Sequence, residues 1–275
     1  MKSTVFFIVF LSAALAFPKG SEEPQFKRLY VDPIEPVPEN ILPRIINGQE
    51  VAPNSIPYQA YIILSGTTTL LCSGSLISPR YVLTVAHCLI GASSATVYLG
   101  AHDISEDDEP NRLVITTSHL IAHEEYEGSS ITNDIGLIEF IEPVELGEHI
   151  NVVSLPSRNG EVDYYVGLLG RVSGWGVFVE EGDTSPVLLA VNSTVISNRV
   201  CNNYFGIVQD HQVCISGAQG GATCNGDSGG PLVVGNEQIG LISYGVRGCL
   251  RGYPSVSTRT DSFLDWIELH TDLIF

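Results

Sequence analysis

Cys224-Asn225-Gly226-Asp227-Ser228-Gly229-Gly230-Pro231 is the stretch that decides how this chain is read. A serine flanked by glycines can stand on a tight turn, because glycine adopts positive φ without steric cost and lets backbone N–H groups come close to a bound atom. A serine hydroxyl is a weak nucleophile on its own and needs a base. Thr84-Val85-Ala86-His87-Cys88 offers an imidazole, and Asn133-Asp134-Ile135-Gly136-Leu137-Ile138 offers a carboxylate before an apolar strand-like run, suited to orienting that imidazole. Alone, Gly226-Asp227-Ser228-Gly229 fits an ordinary loop as well as a nucleophile. The order and context of all three segments favour the nucleophile.

Together with Arg44-Ile45-Ile46-Asn47-Gly48, these segments resemble the chymotrypsin-like serine endopeptidases of trypsin fold, among them the digestive chymotrypsins and collagenase-like proteases of insects. The resemblance runs from Ile45 to the C-terminus. The general account of Ser-His-Asp catalysis comes from this same family, so the mechanism rests on the resemblance and not on spacing. It implies that Ser228 attacks a peptide carbonyl, that His87 takes and returns the proton, and that Asp134 fixes the tautomer and stabilises the imidazolium. The N–H groups of Gly226 and Ser228 are implied as the oxyanion hole.

The resemblance also implies a zymogen, in which cleavage after Arg44 frees the Ile45 amino terminus to pair with Asp227. That ammonium, ordinarily near pKa ~8, would have to be raised by its partner, and its contribution would disappear as pH rises through the folded value. The substrate pocket is implied at Ala222, Gly245 and Ser255, and Ala222 stands where the family's trypsins carry an aspartate. A cationic P1 residue would be left unpaired, so an apolar P1 is expected, Phe, Tyr or Leu ahead of Ala. Elastase- or collagenase-like specificity is the alternative, and a non-catalytic homologue a third reading that the intact triad disfavours. Ser243-Tyr244-Gly245 is implied to run antiparallel to the bound peptide, with Tyr244 in place of the commoner tryptophan. Because an apolar pocket does not suit Arg44, a trypsin-like activating protease is expected as a partner, beside protein and peptide substrates.

With 275 residues, 44% of them hydrophobic, the chain can bury a sizeable core and does not read as disordered. Residues 1–16 carry a basic start, a short apolar run and a small-residue cleavage pattern, and read as a secretory signal peptide. A membrane anchor needs about 20 apolar residues, more than this segment supplies. Export favours oxidation of the six cysteines. Spacing leaves about 15 pairings open; the resemblance selects Cys72 with Cys88, Cys201 with Cys214, and Cys224 with Cys249. Residues 17–44, rich in proline and acids, read as an activation pro-segment without the periodicity of a folded element. Having no cysteine, it should leave after cleavage.

Lys2, Lys19 and Lys27 are the only lysines, so the 231 residues from Ile45 onward (275 minus 44) contain none. From Ile45 there are 8 arginines against 26 acids, a net of 8 − 26 = −18, which argues against nucleic acid or an anionic membrane as partner. Arginine keeps its charge well above the pH where lysine loses it, which suits an alkaline digestive lumen; compositional drift and avoidance of lysine-directed proteases are the competing explanations.

Short apolar or alternating runs between turn residues, such as Tyr61-Ile62-Ile63-Leu64 before Ser65-Gly66, give an all-β signature. Helical spacing is confined mainly to Asp261–Leu269, behind a Thr260/Asp261 cap candidate. The resemblance implies two antiparallel six-stranded β-barrels with the site in the cleft between them, plus a C-terminal helix. Residues 45–155 would form the first barrel and 156–275 the second barrel and helix. No cofactor or metal is called for. The other six histidines (His102, His119, His123, His149, His211, His270) read as surface residues and Glu106-Asp107-Asp108-Glu109 as a solvated loop, with Ala101 where calcium-binding relatives carry a carboxylate. Asn192-Ser193-Thr194 is a glycosylation sequon. A monomer is the default.

Overall fold

The computed structural model describes residues 25–26, 29–31, 48–158, 161–176, 184–218, 223–224, 226–246 and 252–275. Its strands are β1 (Gln25–Phe26), β2 (Leu29–Val31), β3 (Gln49–Glu50), β4 (Gln59–Gly66), β5 (Thr69–Ser78), β6 (Tyr81–Thr84), β7 (Ala92–Leu99), β8 (Leu113–Thr117), β9 (Leu120–Ala122), β10 (Gly136–Glu139), β11 (Leu169–Gly174), β12 (Leu189–Ile196), β13 (Gln212–Ile215), β14 (Pro231–Val234), β15 (Glu237–Val246) and β16 (Ser255–Arg259). Helices are few: α1 (Ala86–Leu89), α2 (Asn198–Phe205), a 3₁₀ turn at Thr260–Phe263 and α3 (Leu264–His270).

Period-2 patterning is plain in β7, where Ala95, Val97 and Leu99 are buried while Thr96 and Tyr98 are partly exposed. Such strands curl into a first sheet of order β8-β7-β4-β5-β6-β10-β9, with β1 added beside β5. Ile62, Leu64, Leu76, Leu83, Leu99 and Phe140 are fully enclosed in its core. Each such side chain contributes about 1.5–3 kcal/mol by leaving water. The second sheet runs β11-β14-β15-β16-β13-β12, and β12 pairs again with β11, closing a ring of six strands around Val172, Val195, Val213, Leu232 and Ile242. The fold is the expected all-β pair; the first sheet is an open half-barrel with seven strands on its path, whose end strands β8 and β9, separated by Ser118 and His119, do not pair with each other.

Each sheet also borrows from the other end of the chain. β3 pairs with β12, Gln49 opposite Ala190 and Glu50 opposite Leu189, so residues just after the expected cleavage point edge the second sheet. Conversely, Phe263, Leu264 and Ile267 pack into the first sheet's core, and the Trp266 indole N–H donates to Glu124 Oε2 at 2.9 Å.

Four expectations change. Asp261 does not cap the terminal helix: both of its carboxylate oxygens accept from Arg259, at 2.6 Å each, in a buried pair whose attraction outweighs a cap bond. His102 is buried, not superficial; its Nε2 lies 3.0 Å from Glu50 Oε1, and its backbone carbonyl accepts from Trp175 Nε1. In the acidic loop Glu106, Asp107 and Asp108 are exposed, but the Glu109 carboxylate turns inward to accept from the N–H groups of His102 and Asp103 at 2.8–2.9 Å and faces Arg112. Finally, the segment read as lacking folded elements holds β1 and β2, which pair with strands of the two sheets; apolar Leu29-Tyr30-Val31 suits a strand once a partner edge is offered.

Disulfides Cys72–Cys88 and Cys201–Cys214 are present, and Cys224 is also disulfide-bonded. Cys249, its expected partner, lies outside the described residues. No described helix is long and apolar enough to cross a membrane.

Candidate active site

Three strand ends bring the decisive side chains together. β6 ends at Thr84, and the single turn α1 then holds His87 in the interior, pinned by the Cys72–Cys88 bridge next to it. Asp134 arrives on the loop before β10, where Ile131 and Asn133 have φ of 52°. Asparagine tolerates that left-handed conformation, helped here by its Nδ2 donating to Glu125 O at 2.9 Å. A β-branched isoleucine does not, and its strain of order 1–3 kcal/mol is held by tertiary contacts. One is a hydrogen bond from Gln212 Nε2 to the Ile131 carbonyl at 3.0 Å.

Asp134 is 1% exposed and fully engaged. Oδ2 lies 2.8 Å from His87 Nδ1 and accepts the Ser243 hydroxyl at 2.6 Å; Oδ1 accepts the His87 backbone N–H at 2.9 Å. Its own carbonyl accepts from Thr258 Oγ1 at 2.7 Å. Burial alone would raise the carboxyl's pKa, but the His87 charge, the His87 ring bond, the Ser243 hydroxyl and the His87 N–H outweigh it and hold the group below its ordinary value. Nδ1 of His87 is thereby fixed as donor. Nε2 is buried and makes no hydrogen bond among the described residues, as fits an atom whose proton arrives only during a reaction.

Ser228 sits on a turn docked against both sheets: Ser73 N donates to Ser228 O at 2.8 Å from β5, and Gly229 N donates to Ile242 O at 2.8 Å on β15. Gly229 has φ +82°, and a Cβ there would lie 2.1 Å from Thr84 Oγ1 and 2.4 Å from Ser73 O, so only glycine lets the serine turn approach the strand that leads to His87. Asp227, also buried, accepts from Gly176 N at 3.0 Å and Cys224 N at 2.8 Å. Gly226 adopts φ +92°. Arg44 and Ile45 lie outside the described residues.

The bulge in the β15–β16 ladder between Ile242 and Tyr244 turns Ser243 toward Asp134. Gly245 pairs with Ser255 across the same ladder. Ser255 Oγ accepts from Thr223 Oγ1 at 2.9 Å, and both residues are buried. Ala222 is outside the described residues. Tyr244 is fully buried, its hydroxyl donating to Gln212 Oε1 at 3.3 Å and its ring edge-on to Phe205 at 5.5 Å. Asn192 is exposed on β12 opposite Arg171.

Ser73, Thr223, Thr258 and Gln212 bear on the site without having been singled out from the sequence. Ser73, Gln212 and Thr258 lie on strands whose register places them there, and Thr223 lies on the loop before β14; serine, threonine or glutamine in such places carries no local signal of its partner.

The trypsin family's model matches residues 45–267. A chymotrypsin of Phaedon cochleariae is 44% identical over 255 residues, covering 91% of each chain. Brachyurin of Leptuca pugilator is 41% identical over 231 residues, 83% of this chain and 99% of brachyurin. Among solved structures, a collagenase superposes with TM-score 0.75 at 33% identity, covering 84% of this chain and all of the collagenase.

Proposed function

The chain belongs to the trypsin family of serine endopeptidases, and from that premise we propose that Ser228, His87 and Asp134 cleave peptide bonds through an acyl-enzyme. His87 Nε2 takes the Ser228 proton as Oγ adds to the scissile carbonyl; the same proton passes to the leaving amine as the C–N bond breaks. Water then repeats the cycle on the ester, its proton going to His87 and back to Ser228. The N–H groups of Gly226 and Ser228 stabilise the oxyanion, each such donor being worth about 3 kcal/mol. The observation that carries this reading is the buried His87–Asp134 pair at 2.8 Å, whose outer nitrogen makes no hydrogen bond among the described residues.

The remaining parts follow from the residues. Residues 1–16 direct secretion, 17–44 form the pro-segment, 45–155 and 156–275 are the two halves of the peptidase, and a trypsin-like protease activates it by cutting after Arg44, so that Ile45 pairs with Asp227. The pocket of Ala222, Gly245 and Ser255 takes an apolar P1 side chain: the Thr223–Ser255 hydroxyl pair at its wall is neutral. The likeness to brachyurin and a collagenase favours one second reading, collagenase-like breadth of specificity. The lysine-free body acts as a monomer in an alkaline gut lumen, with Asn192 open to glycosylation.

The test is a panel of otherwise identical peptides bearing Phe, Leu, Ala or Arg at P1, assayed on enzyme activated by trypsin that is then removed, beside Ser228→Ala. Turnover of Phe or Leu that is lost in the variant is the expected result. Turnover of Arg overturns the pocket assignment, and silence on all four with Arg44 cleaved overturns the catalytic one.

A further inference from the structure

A strand of the chain itself already lies along both walls of the cleft. β1 pairs in parallel with β5, Gln25 opposite Leu70 and Phe26 opposite Leu71. β2 pairs in parallel with β15, Leu29 opposite Tyr244, Tyr30 opposite Gly245 and Val31 opposite Val246. These edges belong to the site: Leu71 precedes Cys72, bridged to Cys88 beside His87, and Tyr244 follows Ser243, whose hydroxyl holds Asp134. The Ser228 turn is hydrogen-bonded to both strands. A stretch as short as 25–31 therefore meets one catalytic wall with its first residues and the opposite wall with its last.

The sense of the chain is what matters. A substrate runs antiparallel to Ser243-Tyr244-Gly245, whereas β2 runs parallel to it. Both senses use the same edge N–H and C=O groups, but a parallel ladder slants its bonds and reverses the order in which N, Cα and C pass the nucleophile. Its carbonyls are not offered to Ser228 and the oxyanion donors as an antiparallel peptide offers them. We propose that Gln25–Phe26 and Leu29–Val31 form a reverse-bound inhibitory strand, so that the cleft is a docking track for an extended peptide of this sequence, held across the active site without being cut. This goes beyond activation through Ile45 and rests on the endopeptidase reading above.

The sequence supplies the release. Between the two paired stretches stand Lys27 and Arg28, the only adjacent basic residues in the chain. A trypsin-like protease able to cut after Arg44 can also cut here, so the activator destroys the inhibitor while the apolar pocket of this enzyme spares it.

The experiment uses activated enzyme freed of trypsin and pro-segment, a P1-Phe reporter, and a synthetic peptide of residues 23–33. A tethered strand acts at an effective concentration of about 1 mM, so 90% closure in the zymogen needs a Kd of about 0.1 mM, and 1 mM free peptide must raise apparent KM about tenfold. The expected result is that rise with kcat unchanged and the peptide recovered intact by mass spectrometry. The same residues in reversed order, and a peptide with Tyr30→Pro, should inhibit at least fivefold less. An unchanged KM at 1 mM, hydrolysis of the peptide, or equal inhibition by the reversed sequence overturns the proposal. No hydrolysis of the reporter before peptide is added overturns the endopeptidase reading instead.

Discussion

Gln212→Leu removes a side chain of similar size that joins three parts of the site. Gln212 is 1% exposed; its amide N–H₂ donates to the Ile131 carbonyl at 3.0 Å, and its Oε1 accepts from the Tyr244 hydroxyl at 3.3 Å and the Gln209 N–H at 3.0 Å. Gln209 is half-buried and can turn to water, whereas Ile131 and Tyr244 are buried and cannot. Two orphaned groups at about 1–3 kcal/mol each, less about 1 kcal/mol for the more apolar side chain, give a loss of about 1–5 kcal/mol. At roughly 2–4 °C per kcal/mol for a body of this size, Tm should fall by about 2–20 °C. Tyr244→Phe in the Leu background removes one orphan and should return about 1–3 kcal/mol, a coupling that a double-mutant cycle of thermal or urea unfolding reads directly. Since Ile131 is three residues before Asp134 and Tyr244 lies on the β15 segment proposed to bind the peptide, kcat/KM on a four-residue substrate should fall more than on a single-residue ester. A loss below about 0.5 kcal/mol with zero coupling, against the ~1 kcal/mol expected at the least, would show that Gln212 does not hold these two groups.

Gly229→Ala forces a Cβ against Ser73 O, a backbone atom that cannot swing aside, so activity should drop at least a hundredfold in a steady-state assay, and Thr84→Ala in the same chain should not restore it. The Asp134 carboxyl is held below its ordinary value, so its stabilisation is complete above the unfolded pKa of about 3.9 and is lost as pH falls through the lower folded one; urea titrations from pH 5 to 2 should show a steeper loss for wild type than for Asp134→Asn. Glu109→Ala leaves the His102 and Asp103 N–H groups without their acceptor, and amide exchange at 102–109 should accelerate at least tenfold while kcat changes less than twofold. Ser255→Asp places a carboxylate beside Gly245 and should shift preference from Phe toward Arg at P1, read as the ratio of kcat/KM values.

The fold class was legible because runs such as Ala95-Thr96-Val97-Tyr98-Leu99 carry their burial in their own alternation. The site was legible because catalysis needs particular residue types beside glycines, and Gly226, Gly229, His87 and Asp134 stand in short, distinctive contexts. What stayed hidden depends on register. Thr258 reaches Asp134, and Ser255 meets the loop residue Thr223, because the register of β16 carries both to the site, which no local pattern encodes. The acid of Asp261 looked like a cap and instead met Arg259, two residues away and buried by packing the sequence does not announce. β1 and β2 were missed because two or three residues are too few for periodicity; they become strands only where a free edge receives them.

The exchanged ends of the chain bear on how this enzyme can move. β3 edges the second sheet while Phe263, Leu264 and Ile267 plug the first, so the two halves are laced at both extremities. Hinge closure, by which many enzymes wrap a ligand, would tear one lace or the other. Selectivity must then come from a stationary groove trimmed by loops, and a half expressed alone, split near Pro156, would lack either its edge strand or its plug. Reassembly of two such fragments, not the folding of either, is what would bring back a working cleft.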